Sequence, residues 1–170
     1  MTSPAPVARR SPAARWRNWA GNQRCAPARV ARPASEAELV DVVKTAAAEG
    51  LTVKAVGAGH SFTDIACTGG VQVRLDDYGG VVSVDKERGR VTVQSGIRIR
   101  KLSEELAAAG LGMPNLGDVG YQSISGAIST GTHGTGSKLC GLAHQVVGLQ
   151  LVTGDGSVVT CSDEEETDLW

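Results

Sequence analysis

The stretches VGAGHSF at residues 56–62 and SISGAISTGTHGTG at residues 123–136 decide how the rest of this 170-residue chain is interpreted. Each follows an apolar segment, so their glycines are expected to shape the backbone inside a domain rather than to form linkers. Glycine lets the main chain approach an anionic group closely and turn consecutive N–H groups toward it. The two stretches therefore predict a site for a phosphate-bearing cofactor, with His60 in the first and His133 in the second.

Two better-known phosphate-binding loops do not match these stretches. Residues 57–62 begin like the dinucleotide fingerprint G-x-G-x-x-G, and Asp77 lies where that motif has its ribose-binding acid, but Phe62 replaces the third glycine. Residues 131–138, GTHGTGSK, have serine and lysine in the wrong order for the nucleoside-triphosphate loop G-x-x-x-x-G-K-[ST]. A nicotinamide-type Rossmann domain and a nucleoside triphosphatase are therefore not expected.

The composition is typical of a globular domain. Hydrophobic residues make up 41% of the chain and its net charge is −1, which allows one core and two small subdomains. No run reaches the roughly eighteen apolar residues of a membrane span, and no block of charge indicates nucleic acid as a partner. The 22 glycines against 4% aromatic residues favour a loop-rich α/β domain over a base-stacking surface.

The beginning of the chain differs from the rest in charge. Every charged residue before Glu36 is an arginine. Residues 1–17, rich in arginine, proline and alanine, are predicted to be a disordered leader. Arg9 and Arg10 are not followed by the apolar stretch of a twin-arginine export signal, so we expect a cytoplasmic protein.

The four cysteines, Cys25, Cys67, Cys140 and Cys161, are widely separated and contain no C-x-x-C pair. We expect them to be buried free thiols. Together with the three histidines they match no structural zinc spacing, so no metal site is expected.

Local patterns predict an α+β order of elements rather than a regular alternation. Ser35 and Glu38 form a capping box before a helix that ends at Gly50, and Ser162 precedes what looks like the start of another helix. A second helix is predicted at residues 99–109. Strands are predicted at residues 52–56, 71–75, 81–84, 91–93, 146–152 and 157–161, the last four forming two hairpins.

Four segments in the same order resemble one family. They are NWAGNQRCAP at residues 18–27, VGAGHSFTDIACT at 56–68, MPNLGDVGYQSISGAISTGTHGTG at 113–136 and GLQLVTGDGSVV at 148–159. Together they are similar to the FAD-binding domain of the sugar-lactone and alditol oxidases, within the vanillyl-alcohol-oxidase-like flavoproteins. The resemblance covers residues 18–170 and implies an α+β, PCMH-type FAD-binding domain of two α/β subdomains. It also implies that the C-terminal substrate domain of that family is absent here.

The resemblance assigns cofactor-binding roles to both glycine-rich stretches. In the first, the backbone would wrap the pyrophosphate of FAD, and His60 would be bonded covalently through a ring nitrogen to the 8α-carbon of the flavin. The alternative for His60 is an ordinary loop histidine. In the second, hydroxyl and backbone groups would contact the cofactor, whereas His133 is either a flavin contact or a residue that closes a turn. The implied cofactor-binding residues are Val56, Gly57, Ala58, Gly59, His60, Ser61, Phe62, Gly117, Ser123, Gly126, Ser129, Thr130, Gly131, His133 and Gly134.

The resemblance also implies an activity. It predicts oxidation of a CH–OH group of a sugar lactone or polyol with dioxygen as acceptor, giving hydrogen peroxide. Gly117 stands where similar oxidases have glycine and similar dehydrogenases have alanine, which favours access of oxygen to the flavin. No catalytic side chain is assigned within this chain, and residues 120–123 contain no cysteine for a second flavin bond. The alternative is a non-catalytic FAD-binding fragment of a truncated or split gene.

Overall fold

The computed structural model describes residues 15–169. Most of the predicted leader, residues 1–14, lies outside the described residues, but Trp16 and Arg17 form a strand, so the structured chain begins before the expected boundary at Asn18. Two short 3-10 turns occupy Leu142–Gln145 and Thr167–Leu169. The helices are α1 (Glu36–Ala48), α2 (Ile99–Ala108) and α3 (Ile124–Ile128), and the strands are β1 (Trp16–Arg17), β2 (Arg24–Cys25), β3 (Arg29–Ala31), β4 (Val53–Val56), β5 (Val71–Arg74), β6 (Val81–Asp85), β7 (Arg90–Val93), β8 (Leu149–Val152) and β9 (Val158–Cys161).

The first packed unit is a parallel sheet covered by α1. Its strand order is β3-β5-β4, and α1 crosses from β3 to β4. Ala46 of α1 packs on Val71 and Val73 of the central strand, and all three are at most 1% exposed. The helix starts as predicted, because Ser35 Oγ accepts a hydrogen bond from Glu38 N–H at 3.3 Å.

The second packed unit contains the antiparallel hairpin β6–β7, α2 and α3. Ile97, Leu102 and Leu106 form one buried cluster, and Ile99, Ala127 and Leu142 form another. Two partly buried side chains, Met113 and Ile124, pack against both clusters and join them. The structure thus has the two α/β units and the α+β class predicted from the sequence.

Two predicted segments differ in the structure. No helix was predicted within residues 123–136, but residues 124–128 form α3, because Ser123 Oγ accepts from Gly126 N–H and caps the helix. The prediction of a helix after Ser162 is wrong, because no α-helix forms there within the described residues. Ser162 Oγ accepts from Glu164 and Glu165 N–H in a turn, and Glu166 has a φ of 46°, which an α-helix does not permit.

The hairpin β8–β9 forms around residues 153–156 as predicted, although β8 starts at Leu149 rather than at residue 146. Its turn rests on α1, where a Cβ built on Gly156 would lie 2.5 Å from Lys44 Cγ. In the described part of the chain, no helix is long and apolar enough to cross a membrane.

Candidate cofactor site

The two glycine-rich stretches meet around a cavity of about 220 Å³. The first stretch leaves the carboxyl end of β4, and the second enters through Ser123 and α3. Ten of the residues predicted from the sequence line this cavity. They are Val56, Gly57, Ala58, Gly59, His60, Ser61, Ser123, Gly126, Ser129 and Thr130.

The closest approach between the two stretches is at Gly57 and Ser123. A Cβ built on Gly57 would lie 1.8 Å from Ser123 Oγ, so no larger residue fits there without movement. Ser123 is only 1% exposed, and its neighbours are held by the segment before α2. Ile124 N–H donates to Ile97 O at 2.9 Å, and Ile99 N–H donates to Gln122 O at 3.0 Å. The residues on both sides of Ser123 are therefore held in place by backbone hydrogen bonds to Ile97 and Ile99.

The first stretch presents backbone donors. Among the described residues, the N–H groups of residues 58–61 donate no hydrogen bond to another group of the chain. Gly59 has a φ of +70°, a conformation that side-chain-bearing residues rarely adopt, and it bends the backbone in the middle of this run. Successive N–H groups at such a bend form a concave surface that suits an anion.

Side chains from residues 18–23 hold the carbonyl groups of the same stretch. Asn18 Nδ2 donates to Ser61 O at 2.9 Å, while Asn22 Nδ2 and Gln23 Nε2 donate to Phe62 O at 2.9 Å and 3.1 Å. Asn18 is 2% exposed, and its Oδ1 accepts from Gln23 N–H at 3.0 Å. Three carbonyl groups of the stretch, those of Gly59, Ser61 and Phe62, are therefore bonded to the segment before β2.

His60 lies in the cavity wall against Trp19. The two rings are stacked, with centroids 5.3 Å apart and planes at 25°. Burial lowers the pKa of the His60 imidazole, and the nearby Arg98 guanidinium lowers it further. Arg98 is held in place by Asp76 and donates to Tyr121 O at 3.2 Å. The ring is thus favoured in its neutral form, which has a nitrogen lone pair for bonding.

The remaining predicted residues lie outside the cavity lining. Phe62 is 65% exposed. Gly117 lies next to Thr132, and a Cβ added to Gly117 would be 2.9 Å from Thr132 Cγ2. Gly134 is closely surrounded by Asn115 and Leu116. His133 is exposed, with Nδ1 2.9 Å from Gly134 O, and Gly131 has a φ of +66°. Gly131, His133 and Gly134 belong to the turn that follows α3, whereas Phe62 ends the first stretch and Gly117 precedes the second.

Several lining residues were not predicted. They are Trp16, Ala55, Thr63, Ile65, Ala66, Leu75, Gln122 and Ser125. Gln122 and Ser125 flank Ser123 and could have been found from the same motif. Trp16 carries no such signal, because its place against Gly59, 3.2 Å from an added Cβ, depends on folding of a distant segment.

The cysteines differ from the sequence-based expectation of burial. Cys161 is buried, whereas Cys25 and Cys67 are half-buried and Cys140 is exposed. All four are free thiols. Across residues 15–169, no group of three or more His, Cys, Asp or Glu side chains is placed to hold a metal ion.

Comparison with known proteins agrees with this geometry. Residues 27–162 match the family model described as "FAD binding domain". The chain is similar to L-gulono-1,4-lactone dehydrogenase of Mycobacterium tuberculosis, with 49% identity over 89% of this chain and 35% of the relative. It is also similar to D-arabinono-1,4-lactone oxidase of Eremothecium gossypii, with 39% identity over 91% of this chain and 30% of the relative.

A solved structure shows the same fold. Chitooligosaccharide oxidase superimposes with a TM-score of 0.72 and 27% sequence identity, over 82% of this chain and 30% of that one. The chain therefore spans about a third of the length of the curated relatives that it matches.

Proposed function

The chain belongs to the FAD binding domain family, and on that premise we propose that it holds the FAD of an enzyme that oxidises a CH–OH group of a sugar lactone or polyol. The names of its relatives support a lactone as the substrate class. Bound FAD would supply the two-electron chemistry, accepting a hydride from the carbinol carbon and passing the electrons to dioxygen as hydrogen peroxide. Because the chain spans only about a third of these relatives, this activity is proposed for the protein that carries the domain.

The contact between Gly57 and Ser123 carries this proposal, together with the N–H groups of residues 58–61, which donate to no group within residues 15–169. A site for a whole cofactor usually has a volume of roughly 300–1,000 Å³. The cavity, at about 220 Å³, is smaller than this range, so we propose it as the site of one part of FAD, the pyrophosphate, which the donor set suits. Ser123, Ser129 and Thr130 of the second stretch also line the cavity. Phe62, Gly117, Gly131, His133 and Gly134 remain proposed contacts beyond the cavity.

Covalent attachment through His60 is the finer part of the proposal. A neutral imidazole is a competent nucleophile, and the position of His60 in the cavity wall supports this role. Attachment would form one bond between a ring nitrogen and the 8α-carbon. The methyl group would lose one hydrogen and the imidazole its N–H proton, leaving the flavin reduced by two electrons. Dioxygen would then remove these electrons and protons as hydrogen peroxide.

The electron acceptor is a separate part of the proposal. Dioxygen is proposed because Gly117 stands where the resembling oxidases have glycine, and an alanine Cβ at this position would lie 2.9 Å from Thr132 Cγ2. One relative is named a dehydrogenase and another an oxidase, so the electron acceptor is to be decided by measurement. Hydrogen peroxide formed during lactone oxidation would support the oxidase reading. Reduction of an artificial electron acceptor without formation of hydrogen peroxide would contradict it. The variant Gly117→Ala should lower the yield of hydrogen peroxide.

The test of the FAD site uses the chain with added FAD. We expect FAD to bind and part of it to remain in the washed acid precipitate, because a carbon–nitrogen bond survives unfolding and hydrogen bonds do not. His60→Ala should release all flavin to the supernatant while FAD still binds before precipitation. Flavin wholly in the supernatant from the unmutated chain would remove the covalent role. Failure to bind FAD at all would remove the whole proposal. The expected cytoplasmic location is tested separately by cell fractionation.

A further inference from the structure

Trp19 has a position that core packing does not explain. It is 68% exposed, yet its backbone and its ring both contact the first glycine-rich stretch. Its N–H donates to Gly59 O at 2.8 Å, and its indole stacks on the His60 imidazole. A large apolar side chain on the surface gains little from burial, so the ring contact is the interaction that accounts for its placement.

The surrounding hydrogen bonds keep Trp19 in this place. Asn18, the preceding residue, is buried and donates to Ser61 O, and Gly21 N–H donates to Asn18 O at 3.0 Å. Asn18 Nδ2 also donates to Asn22 Oδ1 at 2.6 Å. The turn that contains Trp19 is therefore tied on both sides to the residues next to His60.

We propose that Trp19 is a positioning residue, which holds the His60 imidazole in the plane required for bonding to FAD. This inference rests on the proposed covalent role of His60. A stack covers the face of the imidazole and leaves its nitrogens, which lie in the ring plane, open at the edge. The centroid distance of 5.3 Å is within the usual range for paired rings, about 4.5–7 Å. Without this contact the ring rotates about its Cβ–Cγ bond, and fewer of its orientations place a nitrogen toward the cofactor.

The environment of His60 adds support. Burial is the main reason for its lowered pKa, and Trp19 is one of the groups that covers it. The same contact therefore fixes the ring and removes water from one of its faces. Both effects favour the neutral nucleophile over the imidazolium.

The experiment compares Trp19→Leu, which removes the aromatic face, with Trp19→Phe, which keeps it. Tyr121→Leu is the matched control, since Tyr121 is as exposed as Trp19, at 66%, and within residues 15–169 no aromatic contact joins it to His60. Each chain is incubated with saturating FAD, and flavin in the acid precipitate is followed over time. We expect attachment to be about three- to tenfold slower in Trp19→Leu and close to the unmutated rate in Trp19→Phe and Tyr121→Leu.

A second measurement does not depend on the flavin. In the chain without FAD, the His60 ring-proton signals, assigned by their loss in His60→Gln, should lie upfield because of the indole ring current. Trp19→Leu should move them downfield and raise the midpoint of their titration. Unchanged signals in Trp19→Leu would overturn the inference.

The remaining outcomes separate this inference from the proposed function. Equal attachment rates in the unmutated and Trp19→Leu chains, or an equally slow Trp19→Phe, would overturn the positioning role while the covalent role stands. No attachment in the unmutated chain, with FAD bound, would remove the covalent role and this inference with it.

Discussion

At the scale of single residues, the site depends on how closely two backbones approach. Gly57 and Ser123 come from different packed units, and the absence of a side chain at Gly57 is what lets them touch. The hydroxyl at Ser123 also caps α3, so the same atom forms one wall of the cavity and starts the helix behind it. A change at either residue therefore affects both units.

Gly57→Ala is expected to destabilise the chain and to weaken FAD binding. The new Cβ would lie 1.8 Å from Ser123 Oγ, and an overpacked site of this kind costs about 1–3 kcal/mol. Chemical denaturation and FAD titration measure the two effects. The control is Gly112→Ala, whose added Cβ meets nothing within 4 Å. Adding Ser123→Ala to Gly57→Ala should restore only part of the loss, because Ser123 Cβ would remain 3.0 Å away.

His60 is expected to make stability depend on pH. Its folded pKa is below the ordinary 6.5, so between these two values the unfolded chain binds more protons than the folded one. Stability should therefore fall as the pH drops from 6.5 through the folded pKa. Denaturation between about pH 5 and pH 8 measures this slope. His60→Gln should make it shallower than in the unmutated chain, and an unchanged slope would contradict the assignment.

At the scale of elements, the predictable parts were those with a complete local signal. The helix start at Ser35, the helix predicted at residues 99–109 and the hairpin of β6 and β7 each have a signal within a short segment, and each is found in the structure. By contrast, β1 and β2 have two residues each and are held by contacts to a distant stretch, such as Asn18 to Ser61. Short elements of this kind have no period to detect.

The candidate site was predictable to a similar extent. The two stretches were singled out by their glycines, and the resemblance then assigned cofactor contacts within them; seven of the glycine and hydroxyl residues so assigned line the cavity. Trp16 and Leu75 were not identified, since an apolar side chain in a cavity wall has the same local pattern as one in the core. The position of Trp19 over His60 likewise follows only from the folded arrangement.

The turn of the β8–β9 hairpin supplies a prediction at this scale. Asp155 accepts hydrogen bonds from Thr153 Oγ1, Ser157 N–H and Ser157 Oγ, and these lower its pKa from 3.8 to about 2. Its contribution to stability is thus present above 3.8 and is lost as the pH falls through about 2. Carbon NMR of the carboxyl group measures the midpoint. Thr153→Val should raise this midpoint more than a change at Ser157 does, because the Thr153 hydroxyl is the largest cause of the lowered pKa. A midpoint near 3.8 in the unmutated chain would contradict the hydrogen-bond geometry.

At the scale of the whole molecule, the cavity lies where two separately packed units meet. The first contributes β4 and the stretch after it, and the second contributes Ser123 and α3. A ligand bound there contacts both units, so binding is expected to stabilise them together.

FAD at about a hundred times its dissociation constant should stabilise the fold by about 2.7 kcal/mol, which corresponds to a rise in Tm of about 5–10 °C for a chain of this size. Riboflavin, which lacks the pyrophosphate, should produce a much smaller rise at the same concentration. Thermal denaturation followed by circular dichroism measures both. An equal rise with riboflavin would show that the backbone donors of residues 58–61 do not recognise phosphate.

Hydrogen bonds between residues far apart in the sequence also determine the order in which parts of the site can form during synthesis. Asn18 and Ser61 are 43 residues apart, so at a ribosomal rate of about 5–20 residues per second the first waits about 2–9 s for its partner to be made. The opposite wall follows later still, because Ser123 lies far downstream of Gly57. In a nascent chain that stops between Gly57 and Ser123, the first glycine-rich stretch is present but Ser123 and α3 are not. Such a chain has no closed cavity in which to retain a cofactor. Capture of the flavin is therefore a late event, which follows the emergence of residue 123 from the ribosome.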